Sequence, residues 1–428
     1  METAGNPAKR ESYRDFLFVD GKLYYGWVLV FLGFLLMSFA YVSFLSVTSV
    51  FVIPVTTALG VDRGAFVLYQ TILCGSSLIF MPIFGKRMAQ GNIKLIMAIS
   101  AILSGVAYVG FSQATALWHI YCWAALLGLG FANVTVLPIS ILINNWFGGK
   151  IRGTAMGIAF IGSGVGGIAL IPVLNWVITS YGWRSGYLTL TGFFLLVLLP
   201  SILLLVVKTP EEKGMSRLAQ AEGETSIAEA NGMTVKEALK TPMLWLAFLS
   251  CLFFVIASSG ILFNSAPFFI ECGFTKAEAA LFAAFNVGML AVGKPLTGWF
   301  CDRFGTKLGS ILSCFIFAGA MFFLFILPTN PWLFIPFCIV FYGIGCGGVT
   351  VCPPLLVNSL FGEKDYASIV AVLNIGTNLG GALGGMTAAW IYDFTGSYTT
   401  FWLMVACGMV MAGIFRIIAF QLRKKYSY

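Results

Sequence analysis

Charge is what this sequence has least of. Asp, Glu, Lys and Arg make up 10% of its 428 residues, where a soluble domain of that length carries roughly 25%. Such scarcity excludes a globular domain with an ordinary solvated surface. Histidine is nearly missing, with His119 the single one. The ten cysteines are scattered, mostly in apolar stretches, and none forms a C-x-x-C pair with histidines nearby. They read as small apolar residues of helix packing rather than metal ligands or redox centres. No Asp or Glu stands in the middle of any apolar run, and no nucleophile–base or metal constellation appears. No enzyme, metal or cofactor is therefore expected. The N-terminal stretch METAGNPAKRESYRDF is polar, and no cleavable signal is expected in it.

Apolar sequence is what fills the chain. Hydrophobic residues make up 59% of it, and the mean hydropathy is +0.92. Runs of about 20 apolar residues, long enough to cross a bilayer core of about 30 Å, recur from end to end. Lipid offers no hydrogen bonds to a bare backbone, so spans must be helices or closed barrels. The runs are continuous and do not alternate, which selects helices. Twelve spans are expected, at about 25–46, 64–84, 94–112, 117–143, 153–178, 186–207, 243–268, 277–299, 307–327, 332–359, 366–389 and 398–421. The fold class is all-α, a membrane protein.

The net charge of +8 could suggest nucleic acid, but its distribution describes a topology instead. With both termini on one side, that side receives most of the 25 Lys and Arg, and the other receives Arg63, Arg184 and Lys276. The positive-inside rule puts the termini in the cytoplasm. Lys294, inside "FNVGMLAVGKPLTGWFCDRFG" (285–305), belongs to neither side.

Residues 208–240 form a polar linker, and its "TVKEALKTPMLW" carries a capping box at Thr234 and Glu237. The expected organisation is a tail (1–23), a six-helix bundle (24–207), the linker (208–240), a second six-helix bundle (241–421) and a short tail (422–428). The bundles repeat. Shifted by 214 residues, "NWFGGKIRGTAMGIAFIGSGVGG" (145–167) lies over "SLFGEKDYASIVAVLNIGTNLGG" (359–381), matching Phe147/Phe361, Lys150/Lys364 and Gly166/Gly380 among others. Two parallel six-span halves are the architecture of a secondary transporter, with its site at the midplane between them. The glycine clusters of spans five and eleven let backbones approach closely, so five should pack on eight and eleven on two.

Twelve spans, a central loop and "GWFCDRFGTK" (298–307) resemble the major facilitator superfamily, whose loop signature is roughly G-x-x-x-D-R-x-G-x-K/R. Gly298, Asp302, Arg303, Gly305 and Lys307 match it. The equivalent loop of the first half, "FGKRMAQGNIK" (84–94), lacks the aspartate. Three features are similar to the monocarboxylate-transporter and oxalate:formate-antiporter branch: "DGKLYYGWVLV" (20–30), the span-five motif, and "NSAP" (264–267) with a basic residue–proline pair in span eight. The branch usually has Arg-Pro where this chain has Lys294-Pro295. Leu290 stands where monocarboxylate transporters place an aspartate, and no lysine lies between Tyr24 and Val50. Leu373, beside Asn374, falls near the second cation of the oxalate antiporter. The resemblance implies an organic-anion carrier without the usual proton-relay residues. It also implies that Asp302 sits at the start of span five, where a carboxylate complements the helix dipole, with Arg152 as a partner.

Two readings are open for Lys294. An ionised lysine at a helix centre costs about 2.5–3.5 kcal/mol on insertion scales. It could snorkel: it is eight residues before Asp302, about 12 Å along a helix at 1.5 Å per residue. Side chains lean toward the helix N-terminus, here away from the cytoplasm, which favours a cavity. There the ammonium would anchor a substrate carboxylate as a point charge, with neutral groups orienting it. Asn374, Thr377 and Asn378 share a face of span eleven. Asn286 in span eight, Asn264 in span seven, Tyr69 and Gln70 in span two, Tyr41 in span one, Tyr342 in span ten and Asn133 in span four are further candidates. The competing reading for each is helix–helix hydrogen bonding, worth about 0.6 kcal/mol. His119, beside Trp118, reads as interfacial.

The expected function is a plasma-membrane carrier for small organic monocarboxylates, by proton symport or anion exchange. Its partners would be a small carboxylate, a proton and membrane lipid, with no nucleic acid, and it would act as a monomer. Efflux of amphiphilic compounds, or a non-transporting sensor on the same fold, are the alternatives.

Overall fold

The computed structural model describes residues 17–19, 22–219 and 232–426. The polar N-terminal stretch and the middle of the linker lie outside the described residues.

Twelve helices are long and apolar enough to cross a membrane. They are α1 (Gly26–Leu59), α2 (Arg63–Gln90), α3 (Ile93–Ser112), α4 (Leu117–Trp146), α5 (Arg152–Tyr181) and α6 (Trp183–Leu205) in the first half. The second half holds α7 (Pro242–Glu271), α8 (Lys276–Phe304), α9 (Thr306–Ile326), α10 (Pro331–Phe361), α11 (Tyr366–Thr395) and α12 (Thr399–Arg423). The chain is a multi-pass membrane protein built almost wholly of helix. A two-residue antiparallel pair, Phe18–Val19 with Lys22–Leu23, precedes α1. The linker helix Val235–Leu239 begins with the expected capping box, Thr234 and Glu237 each closing on the other's backbone N–H.

The first helix is longer than its apolar pattern suggested. The sequence reading ended it near residue 46, whereas α1 runs on through Pro54 to Leu59. A π-helical turn at Met37–Tyr41 lets the helix re-aim without breaking. Gly60, at φ +65°, then stops it in the left-handed conformation that glycine adopts without strain.

The packing follows the glycines. Helix α8 lies against α5 and α11 against α2, as the paired glycine clusters required. At Gly157 a Cβ would sit 2.6 Å from the carbonyl oxygen of Lys294. Only a residue without a side chain lets the two backbones meet there. Gly153 and Gly298 face each other in the same way one turn nearer the linker.

The buried core crosses between the halves at one end. Leu356, Val357, Leu360 and Phe361 of α10 share a cluster with Met81, Ile139 and Ile143 of the first half. Phe268, Phe274 and Phe401, toward the other end of the second half, form a separate cluster. The joined end is the one that carries the linker.

Candidate functional site

Two features occupy the interface between the halves: a cavity of about 440 Å³ and a sealed gate beside the linker. The cavity is lined by Tyr41, Ser46, Gln70 and Cys74 from the first half, and by Ser258, Thr350, Asn374, Thr377 and Asn378 from the second, among others. Apolar walls come from Val67, Phe131, Val255, Leu262 and Met386. Along α11 the lining continues from Asn374 to Met386, away from the linker end. The cavity therefore lies on the far side of the gate and opens toward the opposite face.

Of the sequence candidates, Tyr41, Gln70, Asn374, Thr377 and Asn378 come together here. Gln70 donates to the Leu45 carbonyl at 2.9 Å, and Asn378 donates across the halves to Ser77 at 3.0 Å. The buried Asn374 amide nitrogen has no hydrogen-bond partner, nor has the Thr350 hydroxyl. Both are buried, unpartnered donors of residues that line the cavity. Other candidates are spent elsewhere. Asn264 donates to the Gly260 carbonyl of its own helix at 3.0 Å. Tyr69 pairs with Thr48 at 2.7 Å, and Asn133 donates to Ser100 at 3.1 Å. Tyr342 is buried in the second bundle, packed against the Phe317 ring. Asn286 is buried with its carbonyl unpartnered, outside the cavity lining. Spacing along a helix identifies a face but not what the face meets. His119 turns to Thr115, 3.3 Å away.

Lys294 does not snorkel. It is 4% exposed, and its ammonium crosses to α5, donating to the Phe160 carbonyl at 3.0 Å and to the Ser163 hydroxyl. The lean of helical side chains toward the N-terminus carries it away from the linker end, as expected. It also stands behind the cavity wall rather than in it. Cys346 lies near the ammonium, and Ser258, which lines the cavity, hydrogen-bonds Cys346 at 3.1 Å. Among the described residues no carboxylate pairs with Lys294.

The gate is built on two helix starts. Asp302 of α8 accepts the Gly153 N–H at 2.7 Å, the Thr154 N–H at 2.6 Å and the Thr154 hydroxyl at 2.7 Å. These are free donors of the first turn of α5, where a negative charge is favoured. Arg152 extends to the other half: its Nη2 meets Glu363 at 3.1 Å and its Nε the Phe147 carbonyl at 3.1 Å. Arg303 is exposed outside this cluster.

Three parts of the gate carried little sequence signal. Glu363 holds Arg152 and also Arg217 of the linker, whose Nη2 is 2.7 Å away. Arg217 further donates to the carbonyls of Asn144 (2.7 Å) and Phe147 (3.2 Å). Burial pushes the Glu363 carboxyl up, but the Arg217 hydrogen bond, the two guanidinium charges and the Asn358 amide outweigh it, so the group is held below its ordinary value. Asn358 donates to Asn144 at 3.1 Å. These two are equivalents under the 214-residue shift, so their bond marks the pseudo-twofold axis. Arg416, counted by sequence among the cations of the linker side, is instead buried in the second bundle. It donates to Ser250 (3.0 Å) and the Ser310 carbonyl (2.7 Å) and lies over the Phe254 ring.

The family model of the Major Facilitator Superfamily matches residues 30–292 and 271–427. The chain belongs to that superfamily. Within it, monocarboxylate transporter 12 of Mus musculus is 25% identical over 416 residues, covering 91% of this chain and 84% of the relative. The probable hexose phosphate transport protein of Chlamydia pneumoniae is 26% identical, covering 64% of this chain and 63% of the relative. The fold is similar to that of the proton:xylose symporter XylE bound to 6-bromo-6-deoxy-D-glucose, with TM-score 0.71, 15% identity, and 91% and 94% of the two chains covered. The E. coli fucose:proton symporter FucP gives TM-score 0.68 at 12% identity, over 92% and 98%. This superfamily member is thus a transporter and not an enzyme.

Proposed function

We propose that the protein carries small organic monocarboxylates across the plasma membrane by alternating access, with both termini and the linker in the cytoplasm. Residues 24–207 and 241–421 act as the two moving halves, and the carrier is a monomer. The observation that carries this reading is Lys294. An ammonium has three donor hydrogens, and two acceptors meet it here. A buried charge is stable only when paired, and the missing partner is the transported anion. Asn374 and Thr350 add open donors for carboxylate oxygens. The curated relatives named as monocarboxylate transporters support the same class.

The anion enters from the outside face, where the cavity opens. Its charge draws the Lys294 amine past Cys346, and the neutralised pair can then be enclosed as the halves rock. A proton taken up with the anion, or a counter-anion on return, completes the cycle. A second reading has one observation in its favour: the cavity lining carries no charged residue. A neutral amphiphile would fit that lining with Lys294 uninvolved.

Uptake of labelled lactate, pyruvate, formate and oxalate into proteoliposomes separates these, with and without a pH gradient. Lys294→Gln is expected to abolish carboxylate uptake, and Lys294→Arg to retain part of it. Equal uptake by all three proteins would remove Lys294 from carboxylate binding, and no carboxylate uptake by any of them would leave the neutral-solute reading. Dependence on the pH gradient marks symport, and stimulation by internal carboxylate marks exchange.

A further inference from the structure

Lys294 does more in this state than wait. It is a residue of the second half whose two hydrogen bonds both end on α5 of the first half. The Ser163 hydroxyl is itself oriented by the Phe160 carbonyl, 3.1 Å away. The three groups form a closed set at the level where Gly157 lets α5 and α8 touch backbone to backbone. The same two helices are tied a few turns nearer the cytoplasm by Asp302 on Gly153 and Thr154. The interface of α5 and α8 thus carries two charged ties, and one of them uses the cation on which the substrate depends. Pro295 follows Lys294 directly and has no N–H to give. The helix there lacks one rung of its ladder, so the lysine sits on a segment able to adjust.

We propose that the Ser163 hydroxyl and the Phe160 carbonyl are the resting acceptors of Lys294, and that a carboxylate competes with them for it. Binding the anion and untying α5 from α8 are then one event. The proposal rests on the monocarboxylate reading above and adds the coupling: the substrate releases the first of the two ties, and the gate at Asp302 opens more readily afterwards. Ser163 is a positioning residue acting through Lys294. Without substrate both ties hold, which suppresses reorientation of the empty carrier from this state.

The competition has a sign that an ordinary binding residue would not give. Removing the Ser163 hydroxyl relieves the anion of a rival. Ser163→Ala should therefore bind carboxylate more tightly, by about tenfold, the scale of one hydrogen bond to a charged group. It should also populate the inward-open state without substrate. Ser163→Thr keeps a hydroxyl and should behave as wild type in both respects. The measurements are equilibrium binding of lactate, pyruvate, formate and oxalate, each tested separately, and the distance between nitroxide labels at Gln90 and Lys307 on the two halves. Lysines and thiols outside the interface are left as they are, except that exposed cysteines are replaced by serine for labelling.

Weaker binding by Ser163→Ala, or unchanged binding with an unchanged label distance, overturns the proposal. Failure of the monocarboxylate reading looks different: wild type itself would then bind none of the four anions. Loss of binding in Lys294→Gln alongside an inert Ser163→Ala removes the coupling and leaves the anchor.

Discussion

A carboxylate at the start of a helix and an ammonium in its middle obey different rules, and Asp302 and Lys294 illustrate both. Asp302 has its partners supplied by the backbone: the first turn of α5 presents N–H groups that no carbonyl of that helix can reach. An amide at this position could accept one of them but would turn its own donor toward the next, and the charge complementing the dipole would be gone. Asp302→Asn is therefore expected to shift the resting balance toward the inward-open state by about tenfold, as befits one charge-assisted hydrogen bond. The label distance between Gln90 and Lys307 measures it, and an unaltered distribution would refute the gate role. The place of Asp302 at the start of α5 was legible through the family resemblance of its loop motif, which is local in sequence. The bonds of Lys294 were not. A helix pattern fixes the direction of a side chain, but Ser163, 131 residues away, became its acceptor only because α5 packs there, which depends on Gly157.

At the scale of elements, the linker is part of the gate. Leu218 pairs with Trp146 and Gly148 of the first half, and Met233 with Phe361 of the second. Just before the first attachment, Arg217 reaches across to the second half and shares Glu363 with Arg152. Inward opening must break this cluster. Taking one partner from a largely buried pair costs about 3 kcal/mol, the low end of the usual range, or about a hundredfold in the gate equilibrium. Arg217→Ala should open the linker end by up to that factor, read as accessibility of the α2 and α11 ends to protease or thiol reagents. The pH dependence follows from Glu363. Its carboxyl is depressed in the closed gate, so its stabilisation is complete above the ordinary carboxylate value of about 4.3 and is lost as pH falls through the lower, depressed value. Glu363 therefore keeps its charge as the linker side is acidified from pH 7.5 to 5.5, and Glu363→Gln should loosen its cluster with Arg152 and Arg217 at every pH. Release of Arg217 from Glu363 near pH 6 would contradict this. Much of this tier could be read from sequence: the twelve spans, the linker capping box and the pairing of five with eight and eleven with two all came from local patterns. Arg217 had no such signal, being one charge among many in a polar segment. Asn144 and Asn358 had one, since the 214-residue repeat extends one residue beyond the motif that revealed it.

The whole molecule is closed at the linker end, with its cavity on the opposite side. The evidence is where its bonds and its empty space fall. Among the described residues the charged ties between the halves gather around Asp302, Glu363 and Lys294, while the cavity runs from Asn374 toward Met386 on the other side. A native residue reports on this asymmetry. Cys74 is half-buried in the cavity wall, whereas Cys122 and Cys407 are exposed on spans that lipid surrounds. A charged, membrane-impermeant methanethiosulfonate needs water to reach a thiol, so lipid-facing cysteines escape it. Cys272, beyond the end of α7, is within its reach and is replaced by serine in the parent protein. Reagent added outside should then modify Cys74 and block uptake, and Cys74→Ser should be insensitive. Saturating carboxylate should protect Cys74, because it fills the cavity and favours states in which the opening is closed. Modification from the cytoplasmic side alone would invert the assignment of the two faces. Modification from outside with no protection by any of the four carboxylates would place the transported solute in another chemical class and turn attention to the neutral lining.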